Sequence, residues 1–116
     1  MWPPDDRRRL QHMLDHAREA LELVSGKQRD DLQSSRVLSL ALVRLMEIVG
    51  EAAARVTPET RDRLPQIPWV GIVGLRNRLV HGYDAVDLDI LWTILVSELP
   101  VLVEELQKSG EWEGGR

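Results

Sequence analysis

The sequence predicts an all-α protein, an up-and-down bundle of four main helices plus one short helix. Apolar residues recur at spacings of three and four through long segments, and no segment alternates like a strand between turn residues. The chain has 116 residues, 43% of them apolar, which suits a single domain with its own core. We expect residues 1–116 to form one domain, with a helical core over about 5–108 and a loose tail over 109–116.

The first predicted helix covers about Asp5–Ser25. Pro3-Pro4 with the following aspartates favours its beginning, and Gly26 favours its end. Its apolar residues form one stripe: Leu10, Met13, Leu14, Ala17, Ala20, Leu21 and Val24. The polar segment Lys27–Gln33 is interpreted as a connector.

The second helix is predicted to begin at Asp31 or Ser34 and to end near Val56. Fourteen of the twenty residues from 37 to 56 are apolar, too many for a single stripe. This helix is therefore either central in the bundle or buried on a second face against another chain. Its polar minority follows one edge of the helix: Arg44, Glu47, Glu51 and Arg55.

Thr57-Pro58 is typical of an N-cap followed by a first helical residue, and predicts a short helix to about Leu64. Pro65–Pro68 interrupts the chain, and a third main helix is expected over Trp69–His81. Gly71 and Gly74 lie three residues apart within it, so one face is open to the close approach of another backbone. Gly50 is the candidate counterpart on the second helix.

His81-Gly82-Tyr83-Asp84 is a stop signal, after which Asp84 or Asp87 is expected to cap the last helix. We expect Pro100 to kink this helix and Gly110 to end it. The residues of its apolar stripe are Leu88, Leu91, Trp92, Leu95, Leu99, Leu102, Val103 and Leu106.

Composition excludes several classes of protein. There is no Cys, which excludes disulfides, thiolate metal sites and a thiol nucleophile. No apolar run approaches the ~20 residues of a membrane span, and the start lacks a secretory signal, so the expected location is the cytoplasm, away from membranes. His12 and His16 are four residues apart without a third ligand, so they are interpreted as a solvated face. Neither a metal nor a cofactor is predicted.

The most informative stretch is Gly74–Tyr83, which holds Arg76, Asn77, Arg78 and His81. Gly82 allows the helix to end at His81, where the helix dipole favours a cationic imidazole. Arginine, histidine and an amide suffice for metal-free cleavage of RNA, because imidazole moves the protons and guanidinium stabilises charge on phosphorus. The alternative reading is a helix cap with surface charges.

Glu47 and Glu51 on the second helix also have more than one interpretation. Their neighbours Arg44 and Arg55 favour an ion-paired polar edge as the first interpretation. The second interpretation is that this polar edge orients the arginine of the motif stretch. An acid–base or metal-binding carboxylate pair is the third.

At this stretch the sequence resembles the HepT-like branch of the HEPN superfamily. The branch has Arg, four residues, His, one residue, Tyr, which are Arg76, His81 and Tyr83 here. Glu47–Ala53 resembles its second-helix segment, and Ile67-Pro68-Trp69 resembles the approach to its motif helix. Asn77 and Trp92 also fit, so the resemblance extends from about Leu10 to Leu106.

The resemblance implies an all-α, homodimeric endoribonuclease toxin of a prokaryotic toxin–antitoxin pair. Arg76 and His81 would be catalytic, with Asn77 as polar support. Beside this resemblance, we expect Arg78, Glu47 and Glu51 to be further supporting polar residues of the site. The partner would be a minimal nucleotidyltransferase that silences the toxin by transferring AMP to Tyr83. The alternative function is a non-catalytic nucleotide-binding or partner subunit of that transferase.

The net charge of −4 argues against a protein that coats nucleic acid over its whole surface. Residues 55–81 nevertheless carry five arginines and two acidic residues, a charge of +3 with His neutral, and the remainder carries −7. A small basic region on an acidic bundle favours a local phosphate-binding cleft.

Overall fold

The all-α prediction is confirmed by a computed structural model that describes residues 2–83 and 85–110. In chain order the elements are α1 (Pro4–Val24), α2 (Arg29–Ser34), α3 (Arg36–Ala54), α4 (Pro58–Asp62), α5 (Trp69–Val73), α6 (Leu75–Leu79), β1 (Val80–His81), β2 (Ala85–Val86), α7 (Leu88–Thr93), a π-helical turn (Ile94–Glu98) and α8 (Leu99–Lys108). The predicted loose tail, from residue 111 onward, lies outside the described residues.

The core lies between α1 and α3 and is closed by α8 and by the α5–α6 segment. Every residue of the predicted α1 stripe is buried except Leu21, which is half-buried. Helix α3 is central, because it contacts α1, α2, α5 and α6. It also leaves Val37 and Leu40 exposed, so part of its excess apolar surface has no cover within one protomer.

Three predicted helix boundaries agree with the structure. Gly26 has a φ of +77°, the left-handed conformation that ends α1. The Thr57 hydroxyl accepts a hydrogen bond from the Thr60 N–H at the start of α4, and Asp87 accepts one from the Ile90 N–H at the start of α7. Of the two caps considered for the last helix, Asp84 lies outside the described residues.

The predicted connector Lys27–Gln33 is wrong in part, because Arg29–Ser34 forms the short helix α2. Its first turn is stabilised by the Asp31 carboxylate, which accepts from the Gln28 N–H at 2.7 Å. Helix α3 consequently begins at Arg36, with the Ser35 hydroxyl accepting from the Leu38 N–H at 3.2 Å.

The prediction of one helix over Trp69–His81 is also corrected. Helices α5 and α6 meet at Gly74, and α6 ends at Leu79, whose carbonyl accepts from the Asp87 N–H at 2.9 Å. The next two residues form strand β1, which pairs antiparallel with β2 in the register Val80↔Val86 and His81↔Ala85. Gly82, with φ +73°, turns the chain between the strands.

The close backbone approach that the glycines predicted lies at Gly50. A Cβ there would stand 3.1 Å from the Ile72 carbonyl oxygen, which is tighter than most Cβ contacts, so glycine lets α5 approach without a shift of its backbone. Gly71 and Gly74 do not face a second helix in the same way. The nearest atoms to a Cβ at these positions belong to the Arg78 side chain and to the Val70 carbonyl of the same segment.

At Pro100 the helix continues through an altered turn. Proline has no N–H and its ring collides with the carbonyl four residues earlier, so a regular α-helical turn is unfavourable before it. The preceding residues Ile94–Glu98 form the wider π-helical turn, after which α8 runs to Lys108.

In the described part of the chain, no helix is long and apolar enough to cross a membrane.

Candidate functional site

The motif residues lie where α6 passes into the hairpin. Arg76 and Asn77 are on α6, His81 is on β1, and Tyr83 follows the Gly82 turn. All four side chains are exposed, Tyr83 completely. Because the chain leaves helical geometry after Leu79, strand β1 and not a helical register sets the position of His81 relative to Arg76.

Glu47 connects α3 to the motif. Its carboxylate lies 3.5 Å from Nε of Arg76 and 3.5 Å from Nη1 of Arg44, and Arg44 also lies 3.9 Å from Glu51. Glu47 therefore pairs with Arg44 along α3 and also with the Arg76 guanidinium of the motif. The first contact matches the ion-paired edge, and the second matches the orientation of the motif arginine. The Arg76 side chain remains 66% exposed and open to a ligand.

Arg78 is held differently from Arg76. Its two terminal nitrogens donate to the two oxygens of Glu98 at 2.8 and 2.6 Å, a bidentate pair that joins α6 to the π-helical turn. The hydrogen bonds from Arg78 lower the pKa of Glu98, against an opposing effect of burial, and Glu98 raises the pKa of Arg78. Arg78 thus fixes the motif helix in place.

We expect the Arg78–Glu98 pair to contribute a coupling free energy of about 1 kcal/mol to folding. A double-mutant cycle of Arg78→Ala and Glu98→Ala in urea denaturation measures it. Because the folded pKa of Glu98 is lowered, this stabilisation is present above the unfolded pKa and is lost as the pH falls through the folded pKa. Additive effects of the two substitutions at pH 7 would contradict this expectation.

Three depressions surround α6. A groove of about 570 Å³ between α3 and the hairpin includes Arg76, Tyr83 and Glu47 in its lining. A hollow of about 450 Å³ on the other side includes His81, Asn77 and Arg78. A third, of about 220 Å³, is lined by Arg76 and Asn77 together with Glu47 and Glu51. Among these depressions of the described residues, Arg76 and His81 line different ones, and Asn77 lines one depression with each of them.

The basic stretch 55–81 is only partly available to a ligand. Arg61 donates to the carbonyls of Ala53, Ala54 and Val56 at the end of α3 and lies over the ring of Trp69. Arg63 lies 4.3 Å from the ring centroid of Trp2. Together with the paired Arg78, these residues stabilise the fold.

No group of three His, Cys, Asp or Glu side chains within residues 2–83 and 85–110 could hold a metal ion.

Comparison with known proteins extends these observations. The family described as ribonuclease HepT-like matches residues 13–109. A protein of Caldanaerobacter subterraneus subsp. tengcongensis assigned as an RNase is 33% identical over 99 residues, 85% of this chain and 88% of that protein. One of Methanocaldococcus jannaschii, also assigned as an RNase, is 30% identical over 98 residues, 84% of this chain and 90% of that protein.

A third relative, from Thermococcus cleftensis and assigned as ribonuclease HepT, is 29% identical over 99 residues, 82% of this chain and 90% of that protein. No solved structure is significantly similar to this chain. The all-α fold and these relatives define the class as a helical endoribonuclease. Within that class, the chain belongs to the HepT-like family of the HEPN superfamily.

Proposed function

We propose that this protein cleaves RNA without a metal ion, with Arg76 and His81 as its catalytic residues. The observation that carries the proposal is the end of α6, where an exposed imidazole on β1 follows an exposed guanidinium that Glu47 holds in place. Asn77 lines one depression with each of the two as polar support, and Arg78 supports the same helix through Glu98.

The chemistry follows from these side chains. The 2′-hydroxyl of the nucleotide attacks phosphorus and loses its proton, the P–O5′ bond breaks, and the 5′-oxygen leaves with a proton. His81 acts as base or acid in this transfer, and Arg76 stabilises the negative charge on the phosphoryl oxygens. The products are a 2′,3′-cyclic phosphate and a 5′-hydroxyl. DNA is not a substrate for this route, because it lacks the 2′-hydroxyl.

The working form in this proposal is a homodimer. Val37 is 79% exposed and Leu40 50% exposed on α3, and Val70 on α5 is 91% exposed, so the protomer presents uncovered apolar residues around the motif. Since Arg76 and His81 of one protomer line separate depressions, a second copy that packs beside α6 would place the two motifs in one cleft.

Regulation through Tyr83 completes the proposal of a cytoplasmic toxin paired with a minimal nucleotidyltransferase. The Tyr83 hydroxyl is fully exposed and can attack the α-phosphate of ATP held by the partner, with loss of its proton and release of pyrophosphate. Tyr83 and Arg76 line the same groove, so the attached AMP adds negative charge beside the catalytic guanidinium and hinders entry of substrate phosphate.

The test is cleavage of single-stranded RNA by the purified protein in excess EDTA, with intact-mass analysis of the same preparation. We expect unmodified protein to cut RNA to 2′,3′-cyclic phosphate ends, and protein carrying one AMP to be inactive. Unmodified protein that binds a nucleotide or the transferase but never cuts RNA would establish the second candidate, a non-catalytic subunit. A monomer in which Arg76 and His81 line different depressions, as they do among the described residues, favours that candidate.

A further inference from the structure

A second basic depression lies beside the motif, between the first half of α1 and the end of α3. It has a volume of about 310 Å³, and three guanidinium groups contribute to its lining, from Arg8, Arg9 and Arg55. The remaining lining residues are His12, Ile48, Glu51 and Ala52. The carboxylate of Glu51 is therefore the one acidic group in this lining.

The three arginines differ in what they already bind. Arg9 donates to the backbone carbonyl of Arg55 at 2.9 Å and so joins α1 to the end of α3. Arg8 has an exposed contact with Asp5 at 3.0 Å, a kind of pair that contributes little free energy. Over residues 2–83 and 85–110, the Arg55 side chain makes no ion pair. Arg8 and Arg55 are therefore available to an anionic ligand.

This depression borders one that contains motif residues. Glu51 lines both it and the 220 Å³ depression that contains Arg76 and Asn77. Arg76 and the pair Arg55 and Arg8 thus line neighbouring depressions on either side of Glu51. Planar guanidinium groups in neighbouring depressions suit a chain of phosphates, which each offer two free oxygens to a fork of donors.

We propose that Arg8, Arg9 and Arg55, here called the α1–α3 arginine strip, bind backbone phosphates of single-stranded RNA beyond the cleaved nucleotide. The inference rests on the proposed function, since it assigns the strip to the same substrate. The strand is single because attack by the 2′-hydroxyl in line with the P–O5′ bond requires a backbone free to leave A-form geometry. The contacts are to phosphate, so the strip adds affinity without sequence preference.

The test compares Arg8→Ala/Arg55→Ala with wild type in binding a fluorescein-labelled 2′-O-methyl oligoribonucleotide, which cannot be cleaved. Arg9 is retained because it holds the end of α3. Two lost phosphate contacts reduce the slope of log affinity against log salt by about 1.4 for a single strand. The loss of affinity is then about sevenfold greater at 50 mM than at 200 mM salt.

Lys27→Ala/Lys108→Ala is the matched control, because it removes the same charge at positions outside the strip. We expect it to keep the wild-type slope, and Arg8→Lys/Arg55→Lys to restore most of the slope. Equal slopes for the strip variant and wild type would overturn the inference, as would an equal change in the lysine control. Circular dichroism of each variant identifies any that is unfolded. If the alanine variant is unfolded, Arg8→Gln/Arg55→Gln, which removes the same charge but keeps a long polar side chain, is compared with wild type instead.

The two proposals fail separately. Wild-type protein that shows the strip effect but never cleaves RNA in EDTA contradicts the proposed function and leaves the strip in place. Wild-type protein that cleaves RNA, while the strip variant binds and responds to salt as wild type does, contradicts the strip alone.

Discussion

His81→Ala is expected to lower the rate of RNA cleavage by about 10²–10⁴-fold, and Arg76→Ala by about 10²–10³-fold. The first removes the group that moves the protons, and the second removes the donor that stabilises charge on phosphorus. Both side chains are exposed, so neither substitution opens a cavity in the core. The measurement is the single-turnover cleavage rate of a defined RNA in EDTA, beside a far-ultraviolet circular dichroism spectrum.

Two controls separate chemistry from charge. His16→Ala removes an imidazole from α1, away from the motif, and is expected to leave the rate within about twofold. Arg76→Lys keeps the positive charge but loses the planar fork, so an intermediate rate is expected. Cleavage that survives both alanine substitutions at the wild-type rate would contradict the assignment of these residues.

The elements that could be predicted from sequence depend on local rules. The stripe of α1 predicts its buried face because residues three and four apart share one side of a helix. Thr57 and Asp87 are N-caps because the side-chain oxygen of each accepts a hydrogen bond from the N–H three residues later. Gly26 ends α1 because glycine readily adopts a positive φ. The motif stretch is also local, because its arginines, histidine and tyrosine all lie within residues 76–83.

The rest depends on contacts between distant residues. Strands of two residues are too short to alternate, so β1 and its effect on His81 left no pattern in the sequence. Glu98 pairs with Arg78 across 20 positions, and Arg9 binds the Arg55 carbonyl across 46. Counting charges between residues 55 and 81 consequently included arginines that stabilise the fold and omitted Arg8 and Arg9.

Asp6 is a buried carboxylate that no spacing rule connects to its partners. It is 1% exposed and accepts hydrogen bonds from the Thr57 N–H at 3.1 Å, the Thr57 hydroxyl at 2.6 Å and the Thr60 hydroxyl at 2.5 Å. These bonds join the first turn of α1 to the first turn of α4. Burial acts to raise the pKa of Asp6, but the three hydrogen bonds and the charge of Arg9 outweigh it, and the pKa is lowered.

Asp6→Ala is therefore expected to reduce the free energy of unfolding by about 2–4 kcal/mol at pH 7, because it leaves the donors of the half-buried Thr57 and the buried Thr60 without this acceptor. A domain of this size is stable by only about 5–15 kcal/mol, so this is a large share. Urea denaturation measures the change, with Asp5→Ala as the control, since that carboxylate is exposed and its loss is expected to cost less than about 0.5 kcal/mol.

The pH dependence tests whether the charge on Asp6 supplies this stability. The folded pKa is lowered, so the contribution is complete above the unfolded pKa of about 3.9 and is lost as the pH falls through the folded pKa. The difference between wild type and Asp6→Ala should therefore be constant above about pH 5 and shrink in more acidic solution. Glu98 titrates in the same direction but is present in both proteins, so its effect cancels in the comparison. A difference that stays constant down to about pH 2 would show that packing at this position, and not the carboxylate charge, holds α1 to α4.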